Sequence, residues 1–145
     1  MFVTEPMRQL FVDTLLRYRQ TGAFALHAFV LMPDHFHVLL TPARDKTLER
    51  AFQLIKGGSA HALGKERQLR FPVWQRGFSD HRIRDAADYD NHVGYIEQNP
   101  VRKRIVTEDK EYRWSSATGA FELDPTPQGR SPQKGSPVGT AEAVP

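Results

Sequence analysis

Apolar residues recur every three to four positions in three stretches of the chain, which is the spacing of one face of a helix. The three predicted helices cover residues 4–22, 48–63 and 85–98. Thr4 is a helix-capping residue type and Pro6 follows it in the first turn, so the first helix has a clear start. The pair Gly57-Gly58 predicts an interruption or kink in the second helix, and Asn99-Pro100 predicts the end of the third.

Largely apolar runs predict two strands, at residues 23–32 and 35–41, and residues 73–83 predict another strand, which contains Gly77. Only the turn Pro33-Asp34 separates the first two, which we therefore expect to pair antiparallel. The order helix, strand, strand, helix, strand, helix is that of an α+β, ferredoxin-like split βαβ fold without its first strand, an antiparallel sheet with two helices packed on one face. Only Phe2-Val3 precedes the first helix. The sheet is then a three-stranded remnant, borrows a strand from another chain, or belongs to a chain that starts upstream.

Length and composition predict one folded domain followed by a tail. Residues 1–121 form the domain. Residues 122–145 contain five of the ten prolines, three of the ten glycines and no aromatic residue, so we expect a disordered tail.

The charge fits contact with phosphates without requiring it, because the net charge is only +3. The absence of cysteine excludes disulfides, thiolate metal sites and a cysteine nucleophile. No apolar run is long enough to span a bilayer, so we expect a cytoplasmic protein with no membrane partner.

The first candidate site lies on the second predicted strand, at His35-Phe36-His37. Side chains alternate along a strand, so both imidazoles emerge on one face while Phe36 enters the core. Two histidines presented together can bind a metal ion. For an arbitrary His-x-His pair, however, two half-exposed polar side chains on a sheet face are the more frequent explanation.

The second candidate site lies on the third helix. Asp88, His92, Tyr95 and Asn99 are separated by four, three and four residues, and so share one face. Tyr95 is not needed for the apolar stripe, which is made by Tyr89, Val93 and Ile96. A tyrosine there more often packs against a neighbour, and Asp88 and His92 are expected to be solvated or capping residues.

Basic residues near aromatic ones indicate a nucleic-acid contact. The candidate DNA-binding residues are Arg76, Arg82, Arg84, Arg102, Lys103, Arg104 and Arg113. They are interleaved with Trp74, Phe78, Tyr112 and Trp114, which could stack on unpaired bases. For Trp74, Phe78 and Trp114 a place in the hydrophobic core is the favoured alternative.

Four short motifs in order are more specific than any one of them. They are residues 28–37 (AFVLMPDHFH), 74–85 (WQRGFSDHRIRD), 95–102 (YIEQNPVR) and 114–116 (WSS). In this order they resemble the REP-associated tyrosine transposases, relatives of the small insertion-sequence single-tyrosine HUH transposases. The resemblance spans nearly the whole predicted domain.

The resemblance implies a ferredoxin-like sheet that carries His35 and His37 as metal ligands and a helix that carries Tyr95 as the nucleophile. It makes Asn99 the third ligand of Mg²⁺ or Mn²⁺. The implied activity is metal-dependent cutting and joining of single-stranded DNA beside hairpins of repetitive extragenic palindromes (REP), through a 5′-phosphotyrosine. By the same resemblance, a monomer is favoured over a homodimer.

Two other functions remain open from the sequence. One is a DNA-hairpin-binding module that has lost cleavage. The other is a small metal-dependent hydrolase in which His35 and His37 activate water while Tyr95 only packs. A purely structural role is the least favoured function, because it would not account for the polar residues that occur together in these motifs.

Overall fold

The computed structural model of this chain describes residues 4–67, 74, 79–125 and 136–142; for 66–67, 79–80 and 136–142 only the backbone is described. The helices are α1 (Glu5–Gln20), α2 (Leu48–Arg67) and α3 (Ala86–Arg102). The strands are β1 (Phe24–Leu31), β2 (His35–Pro42), β3 (Ser79–Ile83) and β4 (Ser136–Glu142). Two short 3-10 turns, Asp109–Glu111 and Ser116–Thr118, follow α3. Among these residues, no helix is long and apolar enough to cross a membrane.

The sheet is antiparallel, with strand order β1-β2-β4-β3. The aromatic side chain of Phe36 packs against Phe11 of α1 and Phe52 of α2, so these two helices cover one face. The next residue, His37, points to the other face and meets Tyr95 of α3. The predicted ferredoxin-like α+β class and the two helices on one face are confirmed, and the third helix lies on the opposite face.

The strand β4 corrects the prediction that the whole of residues 122–145 is disordered. Its backbone pairs with β2 from His35↔Glu142 to Leu39↔Val138, and with β3 from Ser79↔Thr140 to Ile83↔Ser136. Without β4 there would be a gap between β2 and β3, and the backbone groups on both sides of it would lack hydrogen-bond partners. The gap is filled by the C-terminal part of the same chain, which none of the three predicted arrangements included.

The start of the predicted tail is also ordered, up to residue 125. The Asp124 carboxylate accepts two hydrogen bonds from the Arg19 guanidinium, both at 2.9 Å, and one from the backbone N–H of Leu26. The Asp124 backbone N–H donates to the Leu26 carbonyl oxygen at 2.8 Å. These contacts tie the segment to α1 and β1, because a bidentate arginine–carboxylate pair fixes both partners.

Two predictions about the helices differ from the structure, one about an interruption and one about an end. Helix α2 is continuous through Gly57-Gly58. Helix α3 continues two residues beyond Pro100 instead of ending at Asn99. Proline removes one N–H donor from the helix, but α3 continues through Pro100, which is buried together with Asn99.

Gly58 is needed where α2 crosses α1. A Cβ atom at this position would lie 2.6 Å from the hydroxyl oxygen of Tyr18 and 2.7 Å from a ring carbon, whereas at Gly57 it would meet nothing within 4 Å. We expect Gly58→Ala to lower the free energy of unfolding by roughly 1–3 kcal/mol through overpacking. The matched control Gly57→Ala should raise it by about 0.5–1 kcal/mol, as alanine is the better helix former. Urea denaturation measures both, and equal effects of the two substitutions would contradict this packing.

Candidate functional site

Two imidazoles are held side by side on the sheet face opposite Phe36. His35 and His37 lie at the start of β2, where alternation gives them the same face. Their rings are nearly perpendicular, with centroids 4.8 Å apart, and their Nε2 atoms are 3.1 Å apart. Two atoms bound at right angles to one ion through bonds of about 2.1 Å lie about 3.0 Å apart. The pair is therefore spaced as two neighbouring ligands of one divalent ion.

The exposed carboxylate of Asp34 fixes the orientation of the first imidazole. His35 Nδ1 lies 2.6 Å from Asp34 Oδ1, so Nδ1 carries a proton that it donates to the carboxylate. This hydrogen bond, more than the nearby Lys103, lowers the pKa of Asp34. With Nδ1 protonated, the lone pair of a neutral His35 is on Nε2, the atom that faces His37.

The second imidazole is neutral at physiological pH. His37 is only 8% exposed. Burial, together with His35 and the guanidinium of Arg102, lowers its pKa to about 4. A neutral imidazole is the form that binds a metal ion. The environment of His37 thus keeps it in the ligand form well below pH 7.

Tyr95 is one of the most exposed large side chains of the described residues and lies directly over this pair. Its side chain is 51% exposed, and its ring contacts that of His37 edge to face at 5.7 Å between centroids. The guanidinium carbon of Arg102 is 4.0 Å from the Tyr95 ring centroid, and Arg102 also donates to the Tyr95 carbonyl oxygen at 2.7 Å. The ring is held by these two residues, while about half of the side chain remains exposed.

Asn99 follows Tyr95 by one helical turn and is 3% exposed. Among the described residues, its Oδ1 atom is buried without a hydrogen-bond partner. A buried acceptor left unpaired is costly, and an ion would satisfy it. The two imidazoles and this amide oxygen are ligand types that can bind a divalent ion.

The predicted DNA-binding residues do not form one surface with this site. Arg102, Lys103 and Arg104 are exposed at and just beyond the end of α3, and Arg102 contacts Tyr95. Arg82 and Arg84 are exposed at the end of β3, where Arg84 pairs with Asp88.

Two further predicted contacts lie elsewhere. Arg113 covers the ring of Trp114 and lies 3.7 Å from the Glu5 carboxylate, at the start of α1. Arg76 lies outside the described residues. Arg102 is therefore the predicted DNA-binding residue that contacts Tyr95 in the structure, and Lys103 and Arg104 follow it in sequence.

The aromatic residues considered for base stacking are mostly in the core. Trp74 and Trp114 are buried, as the alternative interpretation held, and so is Tyr112. The Trp74 indole donates to Ser59 Oγ at 2.9 Å, and the Tyr112 hydroxyl donates to the Leu31 carbonyl oxygen. Phe78 lies outside the described residues. The three described rings serve packing, which leaves Tyr95 as the accessible ring beside the basic run.

The sequence interpretation missed the environment of Asp88. This residue was expected to be solvated or capping, yet it is only 8% exposed. Its carboxylate accepts from the Arg84 backbone N–H at 2.9 Å and lies beside His81 and His92. The available signal was the four-residue spacing of Asp88 and His92, whereas the contribution of His81 required the packing of β3 on α3.

Comparisons with known proteins find a matching family and similar relatives. Residues 1–99 match the family model described as "Transposase IS200 like". The chain is 29% identical over 122 residues to the REP-associated tyrosine transposase of Escherichia coli (strain K12), covering 80% of this chain and 71% of that protein. It is 34% identical over 112 residues to a putative REP-associated tyrosine transposase of Haemophilus influenzae (strain ATCC 51907 / DSM 11121 / KW20 / Rd), covering 68% and 64%.

One solved structure is also similar, that of a REP-associated tyrosine transposase bound to a REP hairpin. It superposes with a TM-score of 0.68 at 26% identity, over 92% of this chain and 82% of that one. The resemblance drawn from the four sequence motifs is thereby confirmed.

Proposed function

Because this chain belongs to the IS200-like transposase family, we propose that it cuts and rejoins single-stranded DNA beside a REP-type hairpin, with Tyr95 as nucleophile and a divalent metal ion. The observation that carries the proposal is the contact between the exposed Tyr95 ring and the buried, neutral His37. It brings a nucleophile and a candidate metal-binding pair together across two elements that are far apart in sequence.

The reaction follows from the accessible phenol. Tyr95 Oη attacks a backbone phosphorus, forms an O–P bond and releases its proton. The bond between that phosphorus and the 3′ oxygen of the preceding nucleotide breaks, and this oxygen takes up a proton. The products are a 5′-phosphotyrosine and a free 3′ hydroxyl. Because the phosphodiester energy is kept in the new bond, a second 3′ hydroxyl can reverse the reaction and join two strands.

His35, His37 and the Asn99 amide oxygen would hold the ion. When bound, Mg²⁺ or Mn²⁺ supplies polarisation of the scissile phosphate and orients it for in-line attack. Asp34 holds the His35 ring in the tautomer that presents Nε2. An unpaired buried Asn99 Oδ1 supports its place in this set.

Arg102 acts on both the nucleophile and the DNA. Its guanidinium covers the Tyr95 ring and is exposed on its other side. A cation here favours negative charge on the phenol during attack and attracts the phosphate that is to be cut. Lys103 and Arg104 extend this positive charge along the neighbouring backbone of the DNA.

The substrate assignment rests on the similar structure, whose protein is bound to a REP hairpin. A hairpin also leaves flanking single strands whose phosphates an exposed tyrosine can reach. Tyr95 meets His37 within one chain, so the site is complete without a second copy. This arrangement supports a monomer.

The test is incubation of purified full-length protein with end-labelled hairpin DNA taken from repeats beside its own gene, with Mn²⁺ or with EDTA, followed by a denaturing gel. The proposal expects a covalent protein–DNA band that requires the metal ion. Hairpin binding without a covalent band or a nick would overturn the enzymatic part and leave the hairpin-binding module.

A further inference from the structure

A second group of metal-binding side chains lies outside the site of Tyr95. His81 comes from β3, and Asp88 and His92 come from α3. One ligand atom from each of the three residues lies within 4.8 Å of the other two. We refer to these three residues as the His81–Asp88–His92 cluster.

Two contacts in this cluster have lengths close to the ligand–ligand distances around a bound transition-metal ion. His81 Nε2 lies 3.1 Å from Asp88 Oδ2, and His92 Nε2 lies 3.3 Å from Asp88 Oδ1. Ligand atoms arranged tetrahedrally about zinc, with bonds near 2.0–2.1 Å, are about 3.3 Å apart. The two imidazole rings are stacked, with centroids 4.4 Å apart. Stacked rings do not direct both nitrogens at one point, so binding one ion would require these side chains to rotate.

The protonation states match a metal site. The backbone N–H of Arg84, followed by His81, lowers the pKa of Asp88 to about 2, so it is ionised. Burial, followed by the neighbouring His81, lowers the pKa of His92, so its imidazole is neutral at pH 7. Two histidines and one carboxylate form a frequent ligand set of zinc, with the fourth position left to water.

We propose that the His81–Asp88–His92 cluster binds a zinc-class divalent cation that joins β3 to α3. The ion would replace the hydrogen bonds that both imidazoles now make with the same carboxylate. Arg84 Nε lies 3.5 Å from Asp88 Oδ2, but this side chain is 78% exposed and can move into solvent. Tyr95 follows His92 by three residues, so the ion fixes the helix turn that carries the nucleophile. Zinc binding itself does not depend on the proposed function.

The test separates this cluster from the His35–His37 pair. Full-length protein carrying His35→Ala and His37→Ala is titrated with zinc chloride in competition with a chromophoric chelator. We expect one equivalent to bind. Adding His81→Gln and His92→Gln should weaken binding by more than about 100-fold, since loss of a residue that only hydrogen-bonds to a metal ligand already costs roughly 10–100-fold. Absence of zinc binding to the first variant, or equal binding to both, would overturn the proposal.

Two further measurements keep the result interpretable. Circular dichroism compares the folding of the variants without metal. If the four-site variant does not fold, cobalt is titrated into the His35→Ala/His37→Ala protein. A cobalt absorption spectrum typical of four-coordinate nitrogen and oxygen ligands, with broadening of the His81 and His92 NMR signals, supports the site. Unchanged signals would show a hydrogen-bonded cluster only, and would contradict it.

Discussion

Tyr95→Phe is expected to abolish the covalent protein–DNA adduct, with a loss of more than about 10³-fold in the rate of its formation, as for removal of other enzymatic nucleophiles. Only the hydroxyl group is removed. The ring keeps its contacts with His37 and with Arg102, so the fold and hairpin affinity should change little. The measurement is the metal-dependent band on a denaturing gel, with hairpin affinity measured in parallel by fluorescence anisotropy.

Tyr89→Phe is the matched control for this substitution. Tyr89 lies on the same helix but is half-buried, and its ring contacts His27 of β1 instead of the histidine pair. It should leave the adduct unchanged. If Tyr95→Phe formed the adduct at the normal rate, another residue would be the nucleophile. If it nicked DNA at the normal rate without an adduct, the metal-dependent hydrolase would be the correct function.

Local patterns in the sequence were sufficient for most of the fold. The apolar spacing placed α1 and α3 and the hairpin of β1 and β2, because these elements bury one face against the core. Strand alternation also predicted that His35 and His37 share a face. Local patterns could not predict that α3 crosses this face at Tyr95, because that contact depends on tertiary packing.

The predictions that were wrong share one physical cause. A local signal for breaking an element was outweighed by contacts with residues far along the chain. Gly58 fits beneath Tyr18 of α1, and buried Pro100 continues α3. The segment at residues 136–142 contains Pro137 and Gly139, both poor strand formers, yet it completes the ladders of β2 and β3.

The same argument explains the mixed outcome for the candidate site. Spacing along one helix identified Tyr95 and Asn99 as neighbours on a face, because four residues are about one turn. No such helical spacing related the predicted basic residues to one another, so their relative positions could not be predicted. Arg113 therefore lies beside Trp114 and Glu5, whereas Arg102 contacts Tyr95.

Removal of residues 126–145 is expected to lower the free energy of unfolding by at least about 3 kcal/mol. The deletion removes β4, whose backbone pairs with five residues of β2 and five of β3. A net contribution of about 0.5–1.5 kcal/mol for each backbone hydrogen bond sets this scale. Thermal unfolding followed by circular dichroism should show the midpoint falling by roughly 10 °C or more.

The deletion should also affect the candidate site, because β2 carries His35 and His37 next to the lost strand. An exposed β2 edge favours pairing between chains, so size-exclusion chromatography should show concentration-dependent association. Val138→Pro tests the same strand within the full-length chain, because proline removes one backbone donor from the ladder. Removal of residues 143–145 alone, which spares β4, is the control and should leave the midpoint unchanged. Equal midpoints for the long and the short deletion would show that β4 contributes nothing to the sheet.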